Sequence, residues 1–243
     1  LIAELSRLVA MTGVKLPFMA GRNLFEALTL VSVSDQTMSK ATQAIGKQVV
    51  MLEEEWMQHG SDEQFLLSRS REQRHPIRLY GSLDATKVHI RDSKDHRWRD
   101  LKIGAWYEAK GQPPNMPDGE WSIKAQNIRY FADICASKDF SPLVWGHAVK
   151  ENVQLAHELI FVCDGAEWIW NIVNEHFPQA IQILDWFHAS EYLFPVAQAI
   201  VNDPKKQSEW IAEMKELLWQ GNIELILEKL DLLRQTHSAD VIR

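Results

Sequence analysis

The sequence predicts an α/β fold, a mixed sheet with helices, preceded by a small helical segment and followed by further helices. Three observations predict it. Residues 159–200 twice repeat one construction, "LIFVCDGAEWIWN" and then "IQILDWFHASEYL", in which a short apolar run ends on an aspartate and a helical pattern follows. Residues 77–134 alternate with the period of strands in three successive runs. The chain on either side carries its apolar residues at helical spacing.

The elements follow in order. In residues 1–58, "LIAELSRLVAMTG" reads as a helix, and "RNLFEALTLVSVSDQTMSKATQAIGKQVVMLEEEW" as a helix, a short turn and a second helix. Ser34 or Asp35 is placed to cap that second helix by accepting N–H bonds at its open end. Helices joined so closely are compatible with a DNA-reading helix-turn-helix, whose exposed candidates are Gln36, Ser39, Lys40 and Gln43. An ordinary helical hairpin is the commoner form of this pattern, and the segment is not basic. Residues 59–76, "HGSDEQFLLSRSREQRHP", read as a polar linker. "IRLYGSLDATKVHI" and "WRDLKIGAWYEAKG" then form an antiparallel hairpin across "RDSKDHR", and "WSIKAQNIRYFADI" is a weaker third run after the loop "GQPPNMPDGE". A helix from about Pro142 to His157 follows. Next come a strand at 159–163, a helix at 166–176, a strand at 180–184 and a helix from 186, so the last two strands are parallel. The tail from 201 is a helical pair broken near Gly221.

With 243 residues, 46% apolar content and ten Trp, the chain can bury a full core. Only Cys135 and Cys163 are present, far apart and with no zinc-type spacing, so neither a disulfide framework nor a structural zinc site is indicated, and a reducing cytoplasm fits. No apolar segment approaches the roughly 20 residues of a membrane span, so no membrane partner is expected. A first residue of Leu rather than Met suggests a fragment of a longer protein. The net charge of −7 argues against a generic nucleic-acid binder, yet residues 76–110 carry +3 and residues 111–200 carry −7. That division suits carboxylates that hold cations beside a bound polyanion.

Asp164 and Asp185 fall at the carboxyl ends of neighbouring strands, where ligands of open α/β sheets bind. Each also fits a helix cap: Asp164 with Glu167 makes a D-x-x-E box for a helix beginning at Ala166, and Asp185 immediately precedes the next helix. Asp84 sits inside the first β-run, where aspartate is disfavoured and costly if buried alone. A divalent metal shared with Asp164 would compensate; an edge-strand position facing water is the alternative.

Three strands, helix, strand, helix, strand, helix is the order of the ribonuclease-H-like fold. The strings "SLDATKVHI", "WRDLKIGAWYE" and "FVCDGAEWIWNIVNEHFPQAIQILDWFHASEYL" resemble the transposases of bacterial insertion sequences in the Mutator-like DDE superfamily, over about residues 76–200. The resemblance implies a ribonuclease-H-like mixed sheet and Mg²⁺- or Mn²⁺-dependent DNA strand cleavage and strand transfer. It implies Asp84 and Asp164 as catalytic, metal-binding first and second acids. Asp185 and His188 match its D-x-x-H element, His188 acting in catalysis or on DNA and Asp185 in support; a His bonding back to its own cap is the plainer reading. The third acid, a Glu, comes after an inserted helical domain, so it is expected beyond this chain, with residues 201–243 opening that insertion. Residues 1–58, 59–76 and 77–200 would then be DNA-binding segment, linker and incomplete catalytic domain.

The implied partners are double-stranded DNA, at transposon ends and target, and further copies of the chain. Lys87, Arg91, Lys94, Arg97, Arg99 and Lys102, interleaved with His89, His96 and Trp98, are candidate phosphate contacts, although a solvated hairpin face carries such charges too. A non-catalytic DNA-binding protein derived from such a transposase, or a nuclease of the same fold acting on branched or RNA-containing duplexes, are the alternative functions.

Overall fold

The computed structural model describes residues 3–72, 76–90, 98–114 and 122–236. The chain divides into two compact units, residues up to 74 with 138–152, and residues 75–137 with 153 onward.

The helical unit opens with α1 (Ala3–Lys15), α2 (Phe18–Thr29) and α3 (Asp35–Gly60). Val9, Phe25 and Met38, one from each helix, form its buried cluster, with Leu5, Val33 and Ala41 packed against it. The turn between α2 and α3 begins at Leu30, whose φ of 58° ends α2. Ser34, rather than Asp35, caps α3: its Oγ accepts the Thr37 N–H at 3.0 Å. Asp35 faces Arg22 instead, at 3.5 Å.

The stretch expected as a polar linker contains a helix, α4 (Glu63–Glu72). Asp62 caps it through the Phe65 N–H at 3.1 Å, the Phe65 ring stacks on His59 at 4.1 Å, and Arg69 lies 5.0 Å over Trp56 while donating to Asn152 Oδ1 and the Lys150 carbonyl. Ring and guanidinium contacts hold this helix, so no apolar stripe marks it in the sequence. Helix α5 (Ser137–Lys150) starts ahead of the expected Pro142, which sits inside it. Proline at a first helical position loses no hydrogen bond, which is why the sequence points there; here it gives up a bond within the helix. Trp145 Nε1 donates to the Gly60 carbonyl at 2.7 Å and His147 Nε2 lies 3.2 Å from Glu53 Oε1, tying α5 to the end of α3.

The second unit holds a five-stranded mixed sheet of β1 (Arg78–His89), β2 (Trp98–Gln112), β3 (Ser122–Asp133), β4 (Glu158–Cys163) and β5 (Ile181–Leu184), in the order β3-β2-β1-β4-β5. β1, β2 and β3 pair antiparallel, while β4 runs parallel to β1 and β5 parallel to β4. The expected hairpin connection "RDSKDHR" and most of the Pro- and Gly-rich loop lie outside the described residues. One sheet face is buried, through Leu79, Gly81 and Leu83 of β1, Gly104 and Trp106 of β2, Phe131 of β3, and Phe161 and Cys163 of β4. Two glycines admit the rings: a Cβ on Gly81 would lie 2.6 Å from Trp106, and one on Gly104 2.1 Å from Phe131. Helix α6 (Glu167–His176) carries β4 back to β5 and buries Ile169, Ile172 and Val173, one face of its cylinder. Phe177, just beyond it, meets Trp106 and Phe161 with centroids 5.7 and 5.4 Å away.

The single helix expected from residue 186 is two, α7 (Trp186–Glu191) and α8 (Leu193–Ile200), and the tail forms α9 (Pro204–Trp219) and α10 (Ile223–Thr236), turning at Gly221 with φ 73°. Among the described residues no helix is long and apolar enough to cross a membrane.

Candidate active site

Three aspartates lie along the parallel strands or directly after them. Gly81 of β1 lies opposite Phe161 of β4, the last pair of that ladder, and Asp84 and Asp164 each come three residues further along the chain. Cys163 of β4 lies opposite Leu184 of β5, so one residue further Asp164 is level with Asp185. Beyond the regular ladder the Leu83 N–H donates to Cys163 Sγ at 3.4 Å and the Asp185 N–H to the Cys163 carbonyl at 2.7 Å. Alternation along β1 places Asp84 on the face opposite the buried Leu83, and Asp164 follows β4 directly after the buried Cys163.

Each aspartate is differently engaged. Asp84 is exposed at the point where β1 runs on past the end of β4, so half of the strand's neighbours are gone and the cost of aspartate in a strand is relieved by water. Its Oδ1 accepts the Ala85 N–H at 2.7 Å. Asp164 is not the helix cap that the D-x-x-E pattern suggests. The cap is Ala166, with no side-chain bond, and Glu167 is the first helical residue. Asp164 Oδ1 instead accepts the Ala166 N–H at 2.9 Å across Gly165, whose φ of 88° makes the turn. Neither Asp84 nor Asp164 bonds a described residue through Oδ2.

Asp185 does cap its helix. Its Oδ1 takes the N–H of Phe187 at 2.9 Å, the N–H of His188 at 3.1 Å and His188 Nδ1 at 3.2 Å. The D-x-x-H pair is thus a cap with the histidine bonded back to it, and it leaves Nε2 as the ring atom not committed to Asp185. Cys163, which sequence reasoning did not single out, is buried beneath all three. Its thiol is pushed up to about 11, mainly by burial, with the charges of Asp164, Asp84 and Asp185 adding to it against the Leu83 N–H. A cysteine directly before a strand-end aspartate is the signal that could have found it.

The described basic candidates differ in their surroundings. Lys87 is exposed and paired with Asp100 at 2.8 Å, and this bond holds the Asp100 carboxyl below its usual value. Arg99 is exposed. Lys102 turns inward: only 6% exposed, its ammonium sits 4.2 Å over the Trp168 ring of α6, so it braces the sheet rather than meeting phosphate. Arg91, Lys94, His96 and Arg97 lie outside the described residues. Lys40 and Gln43 are exposed on α3.

Among the described residues no three His, Cys, Asp or Glu side chains are gathered as a metal site. The donor chemistry itself suits a hard divalent cation: Asp84 and Asp164 each have a carboxylate oxygen bonded to no described residue, and carboxylate oxygens are the ligands Mg²⁺ and Mn²⁺ take. Of the glutamates in the tail, Glu213 pairs with Lys229 at 2.8 Å and Glu216 accepts from Gln220 at 2.7 Å. No family model matches the chain, and no curated protein is significantly similar to it.

Proposed function

We propose that the sheet is ribonuclease-H-like and belongs to a DDE transposase, which cuts DNA at insertion-sequence ends and joins it to a target. The strand order β3-β2-β1-β4-β5, with β1, β4 and β5 parallel, is the order of that fold and supports the reading. The observation that supports it most is the parallel pairing of β1 with β4, from which Asp84 and Asp164 follow on neighbouring strands, each with Oδ2 bonded to no described residue.

In this reading Asp84 and Asp164 would hold Mg²⁺ or Mn²⁺ through their carboxylates. A cation so held would activate water or a DNA 3′-hydroxyl and steady the oxygen that leaves the phosphodiester. The Asx turn through Gly165 fixes the Asp164 carboxylate, and the exposure of Asp84 leaves room for a phosphate beside it. His188, with Nδ1–H donated to Asp185, presents Nε2; that atom donates to a phosphate oxygen only when the imidazole is protonated. Lys40 and Gln43 on α3, with Lys87 and Arg99 on the hairpin, are the described side chains assigned to DNA.

The experiment is cleavage of terminal-repeat duplex DNA in Mg²⁺ by the protein expressed from its whole reading frame. Strand cuts that leave 3′-hydroxyl ends, abolished in Asp84→Asn and Asp164→Asn, are the expected result. Cleavage that survives both substitutions would overturn the assignment, and binding of the repeat without any cleavage would favour a non-catalytic DNA-binding role.

A further inference from the structure

The middle of α3 carries four consecutive apolar residues in solvent. Val49, Val50, Met51 and Leu52, four consecutive residues, are 46, 50, 68 and 55% exposed. Consecutive helical residues point about 100° apart, so no single core could cover all four. A helical turn apolar on every side is ordinarily buried. At its start α3 packs through Met38 on α1 and α2, and at its end Met57 and Gly60 meet Gly146 and Trp145 of α5. Between those anchorages the two turns from Lys47 to Glu54 are uncovered on the face of Lys47, Val50, Met51 and Glu54, which lie at positions i, i+3, i+4 and i+7 and so share one stripe.

That stripe is its own complement. Turned end for end about a point between Val50 and Met51, it sets Val50 against the partner's Met51 and Lys47 against the partner's Glu54. A parallel pairing would oppose lysine to lysine and glutamate to glutamate. Among the described residues Lys47 and Glu54 enter no ion pair within the chain, whereas the neighbouring Glu53 is taken by His147 and Asp35 by Arg22. We propose that α3 is a homodimer surface, two copies pairing antiparallel across Val50 and Met51 with Lys47 and Glu54 forming two symmetric ion pairs. Such an interface is isologous and closes at two chains. Its apolar centre is small, so the dimer is a weak, reversible one, and the charged rim sets its orientation. The inference does not depend on the chemistry proposed for the aspartates.

Sedimentation of the chain over a rising micromolar range, without DNA, tests it. The mean mass is expected to climb from one chain toward two. Lys47→Glu and Glu54→Lys each turn two attractions into two repulsions and should weaken dimerisation roughly tenfold or more. Mixing those two variants restores attraction at both contacts, so the mixture should dimerise where neither does alone, as should the double variant carrying both changes. Both positions are exposed, and circular dichroism of each variant checks that the helices persist. A native chain that stays monomeric throughout, dimerisation indifferent to the charge reversals, or a mixture no better than its components would each overturn the proposal. The first of these would leave the stripe to another protein or to DNA.

Discussion

At the scale of single residues, backbone geometry decides what an aspartate can do. Asp164 and Asp185 occur in the same strand-Asp-helix construction, yet only Asp185 is a cap. Gly165 makes the difference: its positive φ inserts a turn between Asp164 and α6, so the helix is entered at Ala166 and the carboxylate stays at the strand end. Gly165→Ala places a Cβ 2.7 Å from Leu184 Cδ1 in a backbone conformation that side chains resist, and should cost roughly 1–3 kcal/mol in a denaturant titration. His147 supplies a pH dependence. Burial lowers its pKa from the ordinary 6.5, against the opposing bond from Glu53. The unfolded chain therefore takes up the proton first, so stability is fully present above about pH 6.5 and falls as the pH drops through the folded value. Thermal melts of the native chain should lose midpoint temperature on acidification through that window, and His147→Gln should show a shallower slope.

Elements show where sequence patterns carry information and where they do not. The apolar run before Asp164 and the Ser34 turn are legible because burial and capping chemistry are local, whereas the run before Asp185 forms a strand whose four residues are exposed. Strand register is not local: the parallel pairing of β1 with β4 joins residues eighty apart in the chain, which no pattern in "GSLDATKV" states. Helix α4 escaped notice because Phe65, His59, Trp56 and Arg69 hold it by ring contacts, and Lys102 looked like a phosphate ligand because its partner, Trp168, lies on a distant helix. The two strand-end aspartates can be told apart by stability. Asp185→Ala removes the acceptor of two N–H groups at the start of α7 and should cost about 1 kcal/mol. Asp164→Asn keeps an oxygen for the Ala166 N–H and should change the unfolding midpoint little while abolishing cleavage. Equal destabilisation by both would mean that Asp164 is a structural residue.

Over the whole molecule, a compact helical unit and a mixed sheet are joined in one chain whose charge is basic along the first hairpin and acidic through the strand ends. The central claim is that this division serves a divalent cation shared by Asp84 and Asp164. Titration of the chain with Mn²⁺, followed by electron paramagnetic resonance of the free ion, measures it without any need for DNA or turnover. The native chain is expected to bind Mn²⁺, Asp84→Asn and Asp164→Asn each to weaken that binding by roughly tenfold or more, and Asp185→Asn to leave it unchanged. Equal affinity in all four proteins, or a loss confined to Asp185→Asn, would contradict the account.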